Sequence, residues 1–89
     1  MATIYNLTPV GNQKSFYGKA RVTIDDNGDK TLYSYSTPVV KIRSGKVTLG
    51  DYATCSSTTL KHVKSFLAEQ GFAVYSKGDL RKHYDSERF

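Results

Sequence analysis

One amphipathic stretch, residues 56–71, constrains the fold of this chain more than any other part. Its apolar residues recur at helical spacing and fill one stripe about 120° wide. They are Leu60, Val63, Phe66 and Leu67. Ser56 or Ser57 can cap the first turn, and Gly71 stands where a helix often ends in a left-handed residue. Because an isolated helix of this length is marginal in water, the stripe needs a sheet to cover it.

The stretch before the helix predicts a first β-hairpin. Residues 15–24 alternate between apolar and polar side chains, which is typical of a half-buried strand. The dipeptide Asn27-Gly28 favours a two-residue turn with positive φ at both central residues. That turn predicts that Val22 faces Tyr33 across the hairpin.

A second hairpin is predicted to turn at Ser44-Gly45. Its register pairs Ile42 with Val47 and Val40 with Leu49. These apolar residues alternate with polar ones and therefore share one face of the sheet. We expect the helical stripe to pack against Ala20, Val22, Tyr33, Val40, Ile42, Val47 and Leu49.

Together the patterns predict an α+β fold in a single domain, residues 1–89. An antiparallel sheet of about four strands, formed by the two hairpins, packs one face against the main helix. We place the core in residues 4–75 and treat residues 76–89 as peripheral. Capping-box spacing between Ser76 and Asp79 predicts a short C-terminal helix, after which we expect the chain to fray.

Charge is distributed unevenly along the chain. The formal net charge is +5, and residues 14–50 carry seven cations but only three anions. A basic balance favours a polyanionic partner, although surface lysines also serve solubility. The single cysteine excludes an internal disulfide and fits a reducing compartment, so we expect a cytoplasmic protein. No apolar run reaches the roughly 18 residues of a membrane span, so we expect no membrane partner.

The sheet face left uncovered by the helix is the candidate binding site. Clustered cations neutralise phosphates, and an exposed tyrosine can stack on a nucleobase. The candidate binding residues are Tyr17, Lys19, Arg21, Lys41, Arg43 and Lys46. The same pattern also fits a solvated face whose lysines prevent edge aggregation, or a protein interface anchored by tyrosine and arginine.

The sequence gives little support for catalysis. Cys55 precedes the helix, where reactive thiols occur, but a small buried hydrophobe is the commoner role for cysteine. His62 lies beside the apolar stripe and is expected at the boundary of the core, and His83 has no partner at metal-site spacing. Without a phosphate loop, a nucleophile elbow or paired carboxylates, we expect a protein that is not an enzyme and has no metal or cofactor.

Four segments taken together resemble a known family. They are Tyr5-Asn6-Leu7-Thr8-Pro9, Gln13-Lys14-Ser15-Phe16-Tyr17-Gly18-Lys19-Ala20, Ser34-Tyr35-Ser36-Thr37 and Thr58-Thr59-Leu60-Lys61-His62. The chain resembles, over residues 4–71, a small uncharacterised domain of Gram-positive Firmicutes and their bacteriophages. That family has no assigned chemistry, so no catalytic role is carried over. The resemblance implies a mobile-element setting, in which small cytosolic proteins often bind nucleic acid or disable host defence complexes.

We therefore expect a small binding protein that docks through its basic and aromatic sheet face. Its partner would be nucleic acid or a host nucleoprotein or defence complex. Two alternatives stay open. One is a phage-type inhibitor of a host defence enzyme, similar in role to an anti-CRISPR protein, that acts by protein contact alone. The other is a self-associating structural module, for which a homodimer is the simplest form.

Overall fold

Six strands form one sheet in the computed structural model, which describes residues 3–7 and 18–89. The strands are β1 (Thr3–Asn6), β2 (Ala20–Ile24), β3 (Lys30–Ser34), β4 (Thr37–Arg43), β5 (Lys46–Leu49) and β6 (Asp85–Ser86). Their order in the sheet follows their order in the chain. Neighbours pair antiparallel, except that β5 and β6 run parallel. The helices α1 (Ser57–Glu69) and α2 (Lys77–His83) connect β5 to β6.

The α+β class and the antiparallel meander are confirmed, but the prediction of about four strands is wrong. β1 pairs with β2 and β6 with β5, so that the sheet has six strands. β6 has only two residues, too few to carry an alternating pattern. The expected fraying after α2 is also wrong, because Glu87 N–H donates to the Leu49 carbonyl at 2.9 Å.

The second hairpin has the predicted register. Ile42 pairs with Val47, and Val40 pairs with Leu49. Ser44 and Gly45 have φ values of 52° and 77°, the left-handed conformation that a two-residue turn of this kind requires at both positions. Here the turn residues alone determine the pairing of two strands.

The first hairpin is shifted by one residue from its predicted register. Val22 pairs with Leu32 instead of Tyr33. A shift of one residue moves each side chain of a strand to the other face of the sheet. Leu32 is therefore fully buried in the core, and Tyr33 lies on the opposite face.

The cause of this shift is the loop between β2 and β3. Asp25 N–H donates to the Asp29 carbonyl at 3.0 Å, which leaves three residues in the loop instead of two. Only Gly28 has a positive φ in this loop, at 86°. The Asp25 carboxylate accepts the backbone N–H groups of Asn27 and Asp29 at 2.9 and 3.0 Å. These side-chain hydrogen bonds stabilise the longer loop.

A β-bulge at the β3–β4 pairing turns an additional side chain inward. Leu32 pairs with Val40 and Tyr33 with Pro38, so Val39 has no residue opposite it. Val39 and Val40 are both buried, although they are adjacent in one strand. The bulge also accommodates Pro38 within the strand, where proline is otherwise unfavourable.

Both ends of α1 are capped as the sequence predicts. The Ser56 hydroxyl accepts a hydrogen bond from Thr59 N–H at 3.2 Å and is the N-cap. After the helix, Gly71 has φ 82°, and Phe72 N–H donates to the Leu67 carbonyl at 2.9 Å. This is the Schellman arrangement, which satisfies carbonyls at the helix end.

The α1 stripe forms the centre of the core. Val63, Phe66 and Leu67 are fully buried, whereas Leu60 is half-buried and packs at the edge of the core. The expected sheet residues are buried with them, except that Leu32 takes the place of Tyr33. Leu80 of α2 is fully buried as well, so the C-terminal segment contributes to the same core.

β1 is held against α1 by a tyrosine. The Tyr5 hydroxyl donates to the Glu69 carboxylate and accepts from the Gln70 side-chain amide at 3.3 Å. Burial, together with the neighbouring Glu69 carboxylate, raises the pKa of Tyr5 to about 12. Because side chains alternate along a strand, the preceding residue, Ile4, projects to the opposite face of the sheet.

Replacing Phe66 with alanine is expected to lower the free energy of unfolding by about 3–5 kcal/mol, because the ring is fully buried and its removal leaves a cavity. Lys61→Ala, an exposed position on the same helix, is the control and should change it by no more than about 0.5 kcal/mol. Denaturant titration followed by circular dichroism measures both. Equal effects of the two substitutions would show that Phe66 is not part of the core.

Candidate functional site

The sheet face opposite α1 carries a group of cations. Arg21, Lys41 and Arg43 alternate with buried residues of β2 and β4, and Lys46 of β5 pairs with Arg43. Side chains at such positions point away from the core. We call this surface the open face; it includes Ile4, Arg21, Tyr33, Lys41, Arg43 and Lys46. Four of the six candidate binding residues therefore share one side of the sheet.

The other two candidate binding residues precede β2. Lys19 is exposed, and its carbonyl accepts the Tyr35 N–H at 2.7 Å. Its ammonium lies 5.7 Å from the centre of the Tyr35 ring, within cation–π range. Tyr17 lies outside the described residues.

Two acidic side chains near the C-terminus compensate the positive charge on the β4–β5 side of the open face. Asp85 pairs with Lys46 at 2.7 Å and raises its pKa, and Glu87 pairs with Arg43 at 3.4 Å. Such exposed pairs contribute little to stability. Their main effect is therefore on the local potential, which they reduce on the β4–β5 side of the open face.

The aromatic ring of Phe89 also lies on the β4–β5 side of the open face. Lys41 places its ammonium 4.3 Å from the centre of the Phe89 ring. The ring lies where a side chain at Gly50 would be, since a Cβ atom there would come within 2.7 Å of it. Asp51 N–H donates to the Phe89 carbonyl at 3.3 Å.

Lys19 and Arg21, which both lie close to Tyr35, are the cations on the β2 side of this surface. No acidic side chain in residues 3–7 and 18–89 forms an ion pair with Lys19 or Arg21. Arg21 pairs across the sheet with Tyr33, and a depression of about 190 Å³ is lined by Ile4, Arg21, Thr23 and Tyr33. The sequence interpretation placed Tyr33 in the core, because it used the two-residue turn. In the structure, Arg21 and Tyr33 instead place a cation and an aromatic ring side by side on the solvent-facing side of the sheet.

A buried polar network lies between the sheet and α1. Ser34 Oγ is 2.8 Å from His62 Nδ1 and 3.1 Å from Thr59 Oγ1. His62 is only 1% exposed, so the expectation of a boundary residue is wrong. Burial lowers the pKa of His62, because desolvation disfavours the imidazolium. In the sequence, this network is indicated only by Thr59 and His62, which lie three residues apart beside the apolar stripe.

A groove opens beside this network, at the N-terminal end of α1. Its volume is about 240 Å³, and it is lined by Ser34, Tyr35, Thr37, Val39, Tyr52, Cys55, Ser56 and Thr59. We call it the tyrosine groove. Tyr35 and Tyr52 are 48% and 56% exposed. Alternation and turn patterns did not single it out, since its residues come from two separate stretches of the chain, 34–39 and 52–59.

Cys55 is exposed in the tyrosine groove, which contradicts its interpretation as a small buried residue. Its Sγ is 3.7 Å from Thr59 Oγ1, while the Nδ1 of His62 contacts Ser34. In residues 3–7 and 18–89, no group of three or more His, Cys, Asp or Glu residues could hold a metal ion. That the protein is not an enzyme stays a prediction. Neither helix in this part of the chain is long and apolar enough to span a membrane.

Residues 5–82 match the model of a family of unknown function, DUF8033. The chain belongs to this family. The DUF8033 match includes β2 to β5 and α1, and thus the cations of the open face and the tyrosine groove. No curated protein and no solved structure matches the chain. The expected membership of an uncharacterised family is confirmed, and since DUF8033 has no assigned activity, a function has to be inferred from the surface itself.

Stability should decrease below the ordinary imidazole pKa of about 6.5 because His62 has a lowered pKa in the folded protein. Below that pH the unfolded chain binds a proton that the folded chain does not, so the free energy of unfolding falls as the pH falls. Denaturant titrations between pH 7.5 and pH 5 (about one to two units around that value) measure the effect.

The comparison that isolates this contribution uses two variants. His62→Gln should be less stable at neutral pH but show a smaller loss toward acid. His83→Gln, which makes the same substitution at an exposed histidine stacked on Tyr75, is measured beside it. If the His62→Gln and wild-type profiles run parallel, another group causes the acid sensitivity.

Proposed function

We propose that this protein binds nucleic acid through the open face of its sheet. The observation that carries the proposal is the pairing of Arg21 with Tyr33, close to Lys19, which has no acidic partner in residues 3–7 and 18–89. Such a surface offers positive charge for phosphates and an aromatic ring for bases within one strand pair. Its partner would be a nucleic acid, alone or within a host nucleoprotein complex in the cytoplasm.

Phosphate neutralisation supports this choice physically. Cations that contact phosphates release condensed counterions, which gives sequence-independent affinity and a steep dependence on salt. Stacking of bases on exposed aromatic rings adds affinity with little sequence preference. A sheet face holds both kinds of side chain at fixed spacing, because neighbouring strands lie about 4.8 Å apart.

Acidic side chains make the two sides of the open face electrostatically different. Asp85 and Glu87 compensate Lys46 and Arg43, whereas Lys19 and Arg21 have no such partners in residues 3–7 and 18–89. The nucleic acid should therefore lie over β2 and β3, with the β4–β5 side as a weaker flank. If the face is only a solvated, charged surface, we expect no binding of nucleic acid at any salt concentration.

A protein partner is the second candidate, and one observation favours it. Ile4 is 65% exposed on the same face, next to Arg21 and Tyr33. An apolar side chain flanked by arginine and tyrosine is typical of interface anchors. Under this alternative the protein would inhibit a host defence enzyme by contact alone, in a phage or mobile-element setting.

Reversing the charges of the β2 side should weaken binding. The double variant Lys19→Glu, Arg21→Glu changes two exposed side chains and should fold normally. For a labelled single-stranded oligonucleotide, we expect lower affinity and a salt dependence that is shallower by about 1.4 in slope, since two phosphate contacts are lost. Fluorescence anisotropy over a salt series measures both quantities.

The matched control reverses two exposed lysines on the helices, Lys61→Glu and Lys77→Glu. It makes the same change in net charge and should lose far less affinity. Equal losses would mean that only the net charge matters. Unchanged binding in both variants would place the working surface elsewhere on the protein.

Neutralising the acidic side chains of the C-terminal segment should have the opposite effect. The double variant Asp85→Asn, Glu87→Gln frees Lys46 and Arg43, so affinity for the oligonucleotide should rise several-fold and the salt dependence should steepen. Asp51→Asn with Asp79→Asn makes the same charge change at two exposed positions outside the sheet and is the control. A rise of the same size in the control would contradict a local effect of the C-terminal segment.

A further inference from the structure

The tyrosine groove adds aromatic surface next to the charged side of the open face. Four large hydrophobic side chains are exposed in residues 3–7 and 18–89, and two of them, Tyr35 and Tyr52, line this groove. Exposed aromatic rings at one concave site are typical of ligand recognition. The bulged residue Val39 contributes an apolar wall between them and the core.

Two hydroxyl groups that line the groove are almost fully buried and lie within hydrogen-bond distance of each other. Ser34 and Thr59 are 3% and 4% exposed, and their hydroxyls lie 3.1 Å apart. Ser56 Oγ is 3.2 Å from Thr59 Oγ1, and His62 fixes Ser34 from behind. Each hydroxyl has one donor and two acceptor sites, so they can also bond to the polar edge of a ring that enters the groove.

One wall of the groove is in an unusual backbone conformation. Tyr35 has φ 62°, a left-handed value that is an outlier for a bulky residue. Backbone strain of this kind occurs preferentially at functional sites. The left-handed turn leaves the Tyr35 ring half exposed between Lys19 and the groove.

The two cations of the β2 side adjoin this wall directly. The Lys19 ammonium is 5.7 Å from the Tyr35 ring centre, and Arg21 Nη2 is 3.4 Å from the Tyr35 carbonyl. A phosphate held by these cations would therefore place its nucleoside beside the groove. The two cations thus lie next to Tyr35, which is one wall of the groove.

We propose that the tyrosine groove binds one unstacked nucleobase of a single-stranded nucleic acid whose phosphates lie on Lys19 and Arg21. The inference rests on the proposed function and specifies its substrate class. With about 240 Å³ the groove is smaller than the roughly 300–1,000 Å³ of sites for drug-sized ligands. It has room for a single base, which a duplex cannot offer without unpairing it.

The test uses a single-stranded oligonucleotide that contains 2-aminopurine, the same oligonucleotide with abasic sites, and the matching duplex. The variant is Tyr35→Asn with Tyr52→Ala, because asparagine tolerates the left-handed conformation of position 35. Removal of the rings should lower affinity for the intact single strand about 5- to 100-fold. The salt dependence should stay unchanged, and both proteins should bind the abasic strand equally.

Cys55 provides an independent block of the same groove. Alkylation of the wild-type thiol with N-ethylmaleimide should abolish the change in 2-aminopurine fluorescence on binding, because the adduct would occupy the groove that Cys55 lines. The reagent should have no effect on Cys55→Ser, since the chain has one cysteine.

The outcomes separate the two proposals. If the tyrosine variant binds the intact strand as tightly as the wild type, with the same salt dependence, the base-binding groove is wrong and phosphate binding by the open face stands. Tighter binding of the duplex than of the single strand would also overturn the groove. If the wild type binds none of the three nucleic acids at low salt, the proposed function fails and the groove with it.

Discussion

The hydrogen bonds of the Asp25 carboxylate determine which residues of β3 belong to the core. By accepting two backbone N–H groups, this side chain stabilises a three-residue loop where Asn27-Gly28 alone would favour two. The register of β2 and β3 depends on that difference, and with it the burial of Leu32 and the exposure of Tyr33. The same small loop thus shapes the packing under α1 and the chemistry of the open face.

What could be predicted from the sequence is what short-range patterns control. The caps and stripe of α1 and the Ser44-Gly45 hairpin follow from residues a few positions apart, and the structure confirms them. The first register was missed because a loop side chain outweighed the turn dipeptide. The polar network of His62, the pairing of β6 and the tyrosine groove join segments far apart in the chain, and no local period encodes them.

The candidate binding residues show the same division. Alternation correctly predicted that Arg21, Lys41, Arg43 and Lys46 share a face, because it depends only on strand geometry. Their compensation could not be read from alternation, since it comes from a segment that returns to the sheet after two helices. Within residues 3–7 and 18–89, Lys19 and Arg21 are therefore the cations of this surface without an acidic partner or aromatic cover from the C-terminus, and they lie close to Tyr33, which the register exposes.

The C-terminal residues, including Phe89 over Gly50, affect whether the sheets of two copies of this protein can pair edge to edge. Unpaired edge strands are templates for pairing between chains, and proteins often cover them. β6 occupies the β5 edge, and the bonds of Glu87 and Phe89 extend that cover past Leu49. β6 thereby becomes the edge strand, and with two residues it offers only a short template for strand addition. Gly50 allows the cover to lie flat, because any larger residue would push the ring away.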